Sequence, residues 1–422
     1  MLHRIAHLAS AAPRRILLLA ALVMVAAAIF GVPVATSLSA GGFQDPTSES
    51  AKATALLSQK FDRGDMQLII GVAADRPGSP AARSVGANIV AKLEESPHVA
   101  GVTSAWTAPP PAAAALMSKD GQTGLIVAGI KGGESDAQKY AKELTDRLVH
   151  DRDGVTVRAG GEVTTYVQLN GQSEKDLLLM ESIAIPLSFV VLVWVFGGLL
   201  AAALPLAVGG FAILGSLAVL RGFTMVTDVS IFALNLTVAM GLALAIDYTL
   251  LIVSRYRDEL ADGVDREAAL VRTMATAGRT VLFSAMTVAL SMVAMALFPM
   301  YFLKSFAYAG IAVVGLAAFA AIVIAPAAIM VLGERLDAFD VRRFVRRVLG
   351  RPEPVRKPVE QTFWYVTTKR VMRRAIPIGL AVIALLLVLG TPFLGIKWGF
   401  PDDRVLPASA SARQVGDQLR TQ

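Results

Sequence analysis

The stretch IFALNLTVAMGLALAIDYTLLIV, residues 231–253, decides what kind of protein this is. It is 23 residues long and carries a single charge, Asp247. A helix of about 20 such residues, rising about 1.5 Å each, crosses a hydrocarbon core about 30 Å thick. Runs of the same kind lie at Ile16–Val34, Ile183–Phe196, Leu199–Leu220, Val281–Phe298, Phe306–Leu332 and Ile376–Leu394. Seven membrane-spanning helices are expected, with Phe196–Gly198 as the tight turn of a hairpin. The composition agrees: 55% of the 422 residues are hydrophobic and only 17% charged, against about 45–50% and about 25% in soluble domains.

Ile16–Val34 follows Arg4, Arg14 and Arg15 and reads as an uncleaved signal anchor. A cleaved signal peptide is the alternative, since small residues follow at Ser37–Ala40. Between the first two runs, residues 36–178 look soluble. Met66–Val72, Val99–Ser104, Gly124–Ile130 and Val155–Ala159 read as strands. Ser50–Phe61, Pro80–Glu95 and Ser135–Val149 read as helices, the last with Ser135 as its N-cap, and Pro109–Ala115 as a loop. From Met66 to Ala159 the order is βαββαβ, the ferredoxin-like pattern. The fold class is therefore an α-helical membrane protein with an extracytoplasmic α+β domain. Its expected segments are 1–35 (cytoplasmic N-terminus and first span), 36–178 (outer domain) and 179–332 (five spans). After them come 333–375 (basic cytoplasmic linker), 376–394 (seventh span) and 395–422 (start of a second outer domain).

Charge sets the orientation. Five Lys or Arg lie in Arg255–Arg279 and twelve in Arg335–Arg374, whereas the loops on the other side hold Arg221 and Lys304. The positive-inside bias puts the basic loops and the N-terminus in the cytoplasm and residues 36–178 outside. This explains the net charge of +7 without nucleic acid. Arg342–Arg351 reads as a solvated or lipid-facing cytoplasmic stretch.

An internal repeat is visible. Gly42-Phe43-Gln44-Asp45-Pro46 follows the first span and precedes a helix from Ser50. Gly399-Phe400-Pro401-Asp402-Asp403 follows the seventh and precedes Ser409-Ala410-Ser411-Ala412-Arg413. The plan is one span, an outer domain and five spans, begun a second time. On this reading the chain is truncated or is a half whose complement is a separate chain.

Chemistry centres on Asp247. It lies eight residues from Arg255, so roughly 12 Å into the membrane. A carboxylate in mid-membrane costs about 2.5–3.5 kcal/mol on insertion scales, and such groups face the bundle interior and mark ion or proton pathways. A locking hydrogen bond between helices is the structural alternative. Tyr248 points about 100° away on the helix, so each side chain needs a partner on another helix. Ser284, Thr287 and Ser291 fall on one face of the next span and are expected to line the same polar interior, or to pack between helices. With no cysteine, no disulfide, zinc-thiolate or iron–sulfur site is available. The four histidines show no metal spacing, there is no P-loop or Ser/His/Asp set, and Asn235-Leu236-Thr237 is a sequon buried in a span. No enzyme activity and no cofactor are expected.

Ala245-Ile246-Asp247-Tyr248, Ser254-Arg255-Tyr256-Arg257-Asp258-Glu259, Gly278-Arg279-Thr280-Val281-Leu282-Phe283-Ser284-Ala285, Phe302-Leu303-Lys304-Ser305 and Gly42-Phe43 together resemble the MmpL family of the RND transporter superfamily. The resemblance covers nearly the whole chain. It implies a porter-like outer domain and proton-driven export of lipids or lipid precursors from the inner membrane, with Asp247 and Tyr248 as a proton relay supported by Ser284. It also implies a second half with its own Asp-Tyr pair, so the expected partners are lipid, protons, the membrane, and a second half or further copies of the chain. A non-transporting scaffold, regulator or remnant is the alternative.

Overall fold

Pro13 has no N–H to leave unbonded at a helix start, and α2 (Pro13–Gly31) begins on it, after the short α1 (Leu2–Ala11). These helices open a computed structural model that describes residues 1–422 except 40, 77, 338–339, 342–346, 348–349, 351–362, 397–398, 400–401 and 422. It falls into two compact units, residues 1–339 with 402–422, and residues 340–401.

In the first unit, α3 (Glu49–Phe61) precedes β1 (Met66–Ala74), α4 (Pro80–Glu94), β2 (Val99–Ser104), α5 (Pro110–Ala115), β3 (Thr123–Ile130), α6 (Gly133–Leu148) and β4 (Val155–Gly160). The sheet order is β2-β3-β1-β4, every pair antiparallel. Register runs from Met66 opposite Ile130 to Ala73 opposite Thr123, and from Ile69 opposite Gly160 to Ala74 opposite Val155. Strand side chains alternate faces. Leu68, Ile70, Val72, Ile126, Ala128, Val155 and Val157 share one face and pack against Val85, Ile89 and Leu93 of α4 and Ala137, Ala141 and Leu144 of α6. This is the expected βαββαβ domain. Trp106 is seated against Gly86 and Gly124, where any Cβ would collide with the indole.

Two local expectations fail. Pro109–Ala115 contains a helical turn, because Pro110 suits the first helical position and alanines follow. Ser135 does not cap α6, whose N-cap is Gly132. The orphan N–H groups of Gly132 and Gly133 instead donate to Asp65 Oδ2, both at 2.9 Å, while Ser58 Oγ donates to Oδ1 at 2.8 Å. Ser135 Oγ donates to Asp228. Burial alone would raise the Asp65 carboxyl, but the bonds from Gly133, Ser58 and Gly132 and the charge of Lys131 hold it below the ordinary carboxylate value. Asp65→Ala is expected to cost about 0.5–2 kcal/mol, read as a lower Tm of the detergent-solubilised chain. A depressed folded-state pKa gives stability present above the unfolded value and lost as pH falls through the folded one. The gap between wild type and variant should therefore narrow below about pH 4.

The spans follow. α7 (Glu162–Phe196) is one continuous helix from the sheet domain into the bundle, and α8 (Leu199–Thr224) returns after Gly197, at φ 83°. Then come α9 (Phe232–Ala261), α10 (Arg266–Thr273), α11 (Arg279–Val293), α12 (Tyr301–Phe319) and α13 (Ala325–Leu332). Single π-helical turns at Met274–Gly278 and Ala320–Ile324 join α10 to α11 and α12 to α13. Seven helices among the described residues are long and apolar enough to cross a membrane. Small residues let the central helices approach closely. Gly209 packs on Ala245 and Leu242, and a Cβ at Gly241 would collide with Ile213.

After the seventh span, α14 is Ser411–Thr421 within this same first unit. It packs on β4, with Val415 filling the space that Gly160 leaves and Ser411 Oγ donating to Ala159 O at 2.8 Å. Asp402 and Asp403 precede it; the repeat residues Phe400 and Pro401 lie outside the described residues. The second unit holds the helices Phe363–Arg373 and Ala375–Gly390, the latter extended to Gly395 as the seventh span. Most of Arg342–Arg351 also lies outside the described residues.

Candidate functional site

α9 presents its residues at about 100° steps. Asp247 is exposed, while Tyr248 and Thr249 turn into the bundle and are buried. The exposed positions Ala239, Ala243, Asp247 and Leu251 recur every four residues and form a stripe along the helix. The carboxylate expected to face the interior thus stands on the open face of this chain's own bundle, because the aromatic ring of Tyr248 takes the interior position. Asp247 has no hydrogen-bond or ion-pair partner among the described residues. Tyr248 OH and Thr249 Oγ1 are buried and make no hydrogen bond. An unsatisfied buried hydroxyl costs about 1–3 kcal/mol, so water or another helix is needed beside both.

Ser284 is half-buried on α11 and no hydrogen bond joins it to Asp247 or Tyr248. Thr287 and Ser291 are exposed and donate to carbonyls of their own helix, Phe283 O at 2.9 Å and Thr287 O at 3.0 Å. They do not line an interior in this chain. The block after Asp247 is structural. Glu259, buried, accepts from Arg255 Nη2 at 2.5 Å and from Arg272 Nη1 at 3.5 Å. Arg257 donates to Phe196 O at 3.1 Å and lies over the Phe196 ring. These contacts tie the end of α9 to α10 and to the α7–α8 turn.

The model of the MMPL family matches residues 42–378. The chain belongs to the MMPL family. It is 32% identical to the trehalose monomycolate exporter MmpL3 of Mycobacterium tuberculosis over 418 residues, which is 93% of this chain and 44% of that protein. A putative membrane protein of Streptomyces coelicolor is 34% identical over 99% of this chain and 57% of its own length. The mycolic acid-containing lipids exporter MmpL11 of Mycolicibacterium smegmatis is 28% identical over 86% of this chain and 38% of its own length. The chain spans less than half the length of MmpL3 and MmpL11. The chain is a multi-pass membrane protein, and its four-stranded antiparallel sheet fits a porter-type domain.

A second polar cluster, whose residues are far apart in the sequence, joins the sheet domain to the bundle. Glu134, on the first turn of α6, accepts at Oε2 from Gly42 N–H at 3.0 Å and from Tyr301 OH, at the start of α12, at 3.1 Å. Ser39 Oγ lies 3.2 Å from Tyr301 OH, Gln138 Nε2 donates to Ser39 Oγ at 3.3 Å, and Asn170 Nδ2 donates to Gln138 Oε1 at 2.9 Å. Ser39 also bridges to Ser230 in the loop before α9. Burial pushes the Glu134 carboxyl above its ordinary value, and the charge of Asp228 adds to this. The bonds from Gly42 and Tyr301 oppose it without cancelling it. Glycines at 41 and 42 let the chain pass close to this site: a Cβ on Gly41 would fall on the Glu134 carboxyl group, and one on Gly42 would lie 2.6 Å from Phe302 N. The tandem Gly41-Gly42 was the one signal in the sequence that could have pointed to this joint.

Proposed function

We propose that this chain forms half of a proton-driven exporter of lipids or lipid precursors, with the basic loops and N-terminus in the cytoplasm and the sheet domain outside. The observation that carries this reading is Asp247: an ionisable group within a span, on an open helical stripe, beside two buried hydroxyls that lack partners. A lone carboxylate facing lipid is costly. A helix from a second half, laid along Ala239, Ala243 and Leu251, would remove it from lipid and give Tyr248 and Thr249 neighbours. That half would come from sequence corresponding to the rest of the relatives' length, in the same polypeptide or another. Proton transfer at Asp247, with Tyr248 as hydrogen-bond relay and Ser284 in support, would then drive movement of the outer domain.

The relatives' names, an exporter of trehalose monomycolate and one of mycolic acid-containing lipids, make an amphiphilic envelope lipid the natural cargo class. The test is purification of the tagged chain from its native membrane, with mass spectrometry of co-purifying protein and lipid. A stoichiometric partner, or downstream sequence of the same polypeptide, carrying a second intramembrane Asp-Tyr pair is the expected result. A lone chain without lipid would favour a scaffold or regulator instead.

A further inference from the structure

The joint between the sheet domain and the bundle holds a titratable side chain for which proton transfer at Asp247 has no use. We infer that Glu134 is a positioning residue, and that protonation of its carboxyl keeps the sheet domain seated on the start of the sixth span. The geometry of the joint stands by itself; its bearing on transport rests on the function proposed above.

Three chain segments converge on this carboxyl. They are Ser39 with Gly41–Phe43 after the first span, Tyr301 at the start of α12, and the loop at Asp228–Ile231 between α8 and α9. Gly42 is locked on both sides, donating its N–H to Glu134 and accepting from Phe302 N–H at 3.2 Å. The Phe43 ring packs at a tilt with its centroid 4.7 Å from that of Phe302 and 5.7 Å from that of Phe232, and closes the apolar side. Ser305 Oγ accepts from Ser230 N–H at 2.9 Å and donates to Tyr301 O at 2.6 Å, so the loop and the helix start move together. Anything that moves Glu134 therefore moves the attachment of α6 to two spans.

The charged and titratable groups around Glu134 are unfavourable to a second negative charge. Asp228 acts on it from the loop and is itself held by Ser135 Oγ on α6. Glu162 and Tyr166, on the first turns of α7, lie within its electrostatic reach. Tyr301 and Gly42 offer two donors, and Ser39 and Gln138 are neutral. When ionised, Glu134 keeps the two hydrogen bonds from Gly42 and Tyr301, but its charge is buried away from water beside two other acids. A group whose folded-state pKa is raised contributes stability that is present at low pH and lost as pH rises through the folded value. The joint is thus tightest when the side on which the sheet domain lies is acidic, and it loosens as that side becomes neutral. For each unit by which the seated state raises the carboxyl's pKa, the ratio of seated to unseated forms changes by about tenfold.

The absence of cysteine makes the test clean. Glu143→Cys on the exposed side of α6 and Met225→Cys at the end of α8 carry spin labels, and their distance distribution is measured in nanodiscs from pH 4 to pH 8. The expected result is one narrow population at pH 4, with a displaced one growing above the ordinary glutamate range. Glu134→Gln should keep the narrow population at every pH, and Glu134→Ala should show the displaced one at every pH. Tyr301→Phe, which removes one donor to the carboxylate, should move the transition to higher pH. A wild-type distribution that does not change with pH, or an unchanged pH response in Glu134→Gln, overturns the inference. The measurement involves neither lipid export nor a proton gradient. Its failure leaves the export proposal standing, and a silent Asp247 variant leaves this joint standing.

Discussion

Asp247→Asn is expected to abolish proton-driven export by the assembled transporter while leaving the amount of protein in the membrane unchanged. Asparagine keeps the volume of the side chain and can still hydrogen-bond, but it neither takes up nor releases a proton. A positioned proton-transfer group contributes about 10²–10⁴-fold to a rate, and a loss in that range is expected in vesicles energised by a pH gradient. Because Asp247 is exposed on an open stripe and makes no hydrogen bond or ion pair among the described residues, the substitution breaks no polar contact in this bundle, and the melting temperature of the isolated chain should be unchanged or higher. That pairing separates a relay from a structural lock, whose loss would lower stability and export together. Asp247→Glu, which restores the carboxyl about one methylene further out, should recover part of the rate. Tyr248→Phe removes a hydroxyl with no partner among the described residues, so its effect should appear only in the assembled transporter. Full export by Asp247→Asn would end the relay proposal.

The spans were legible in the sequence because uncharged length is a one-dimensional property: nothing but a bilayer calls for 23 residues such as 231–253. The sheet domain was legible for a similar reason, since Leu68, Ile70 and Val72 alternate at period two and Val85, Ile89 and Leu93 recur at the helical period. The boundary drawn at residue 178 has no counterpart in the backbone. α7 runs unbroken from Glu162 to Phe196 and changes only its surroundings, from protein to lipid. The cap of α6 was missed because Asp65 reaches it from 67 residues away, so the local Ser135 looked better than it is. Asp247 was identifiable as unusual from composition alone. Which side of the helix it occupies depends on how α8 and α12 pack, and spacing along one helix does not record that. Glu134 and Tyr301 are 167 residues apart. Neither is remarkable locally, and only the fold makes them neighbours.

Gly42→Val should be the most damaging single substitution in the joint. Gly42 sits at φ +92°, a region that β-branched residues almost never occupy. Its missing side chain is also spatially required, because a Cβ there would lie 2.6 Å from both Phe302 N and the Tyr301 ring. The first of these is backbone and cannot rotate away. Left-handed strain of about 1–2 kcal/mol adds to overpacking of about 1–3 kcal/mol, so a loss of about 2–5 kcal/mol is expected. In practice the segment will lift away, and the Gly42 N–H to Glu134 bond will break with it. The readouts are a lower Tm and faster proteolysis at residues 39–48 in the detergent-solubilised chain. Gly399→Val, at the counterpart position in the repeat, supplies the control. A Cβ there meets nothing within 4 Å and its φ is not in the left-handed region, so stability should stay within about 0.5 kcal/mol of wild type. Equal damage from the two valines would mean that flexibility, not the close approach of Glu134 and Tyr301, explains the glycine at 42. Damage confined to Gly42→Val would tie the Gly-Phe signature after the first span to a physical task, holding the sheet domain against the sixth span.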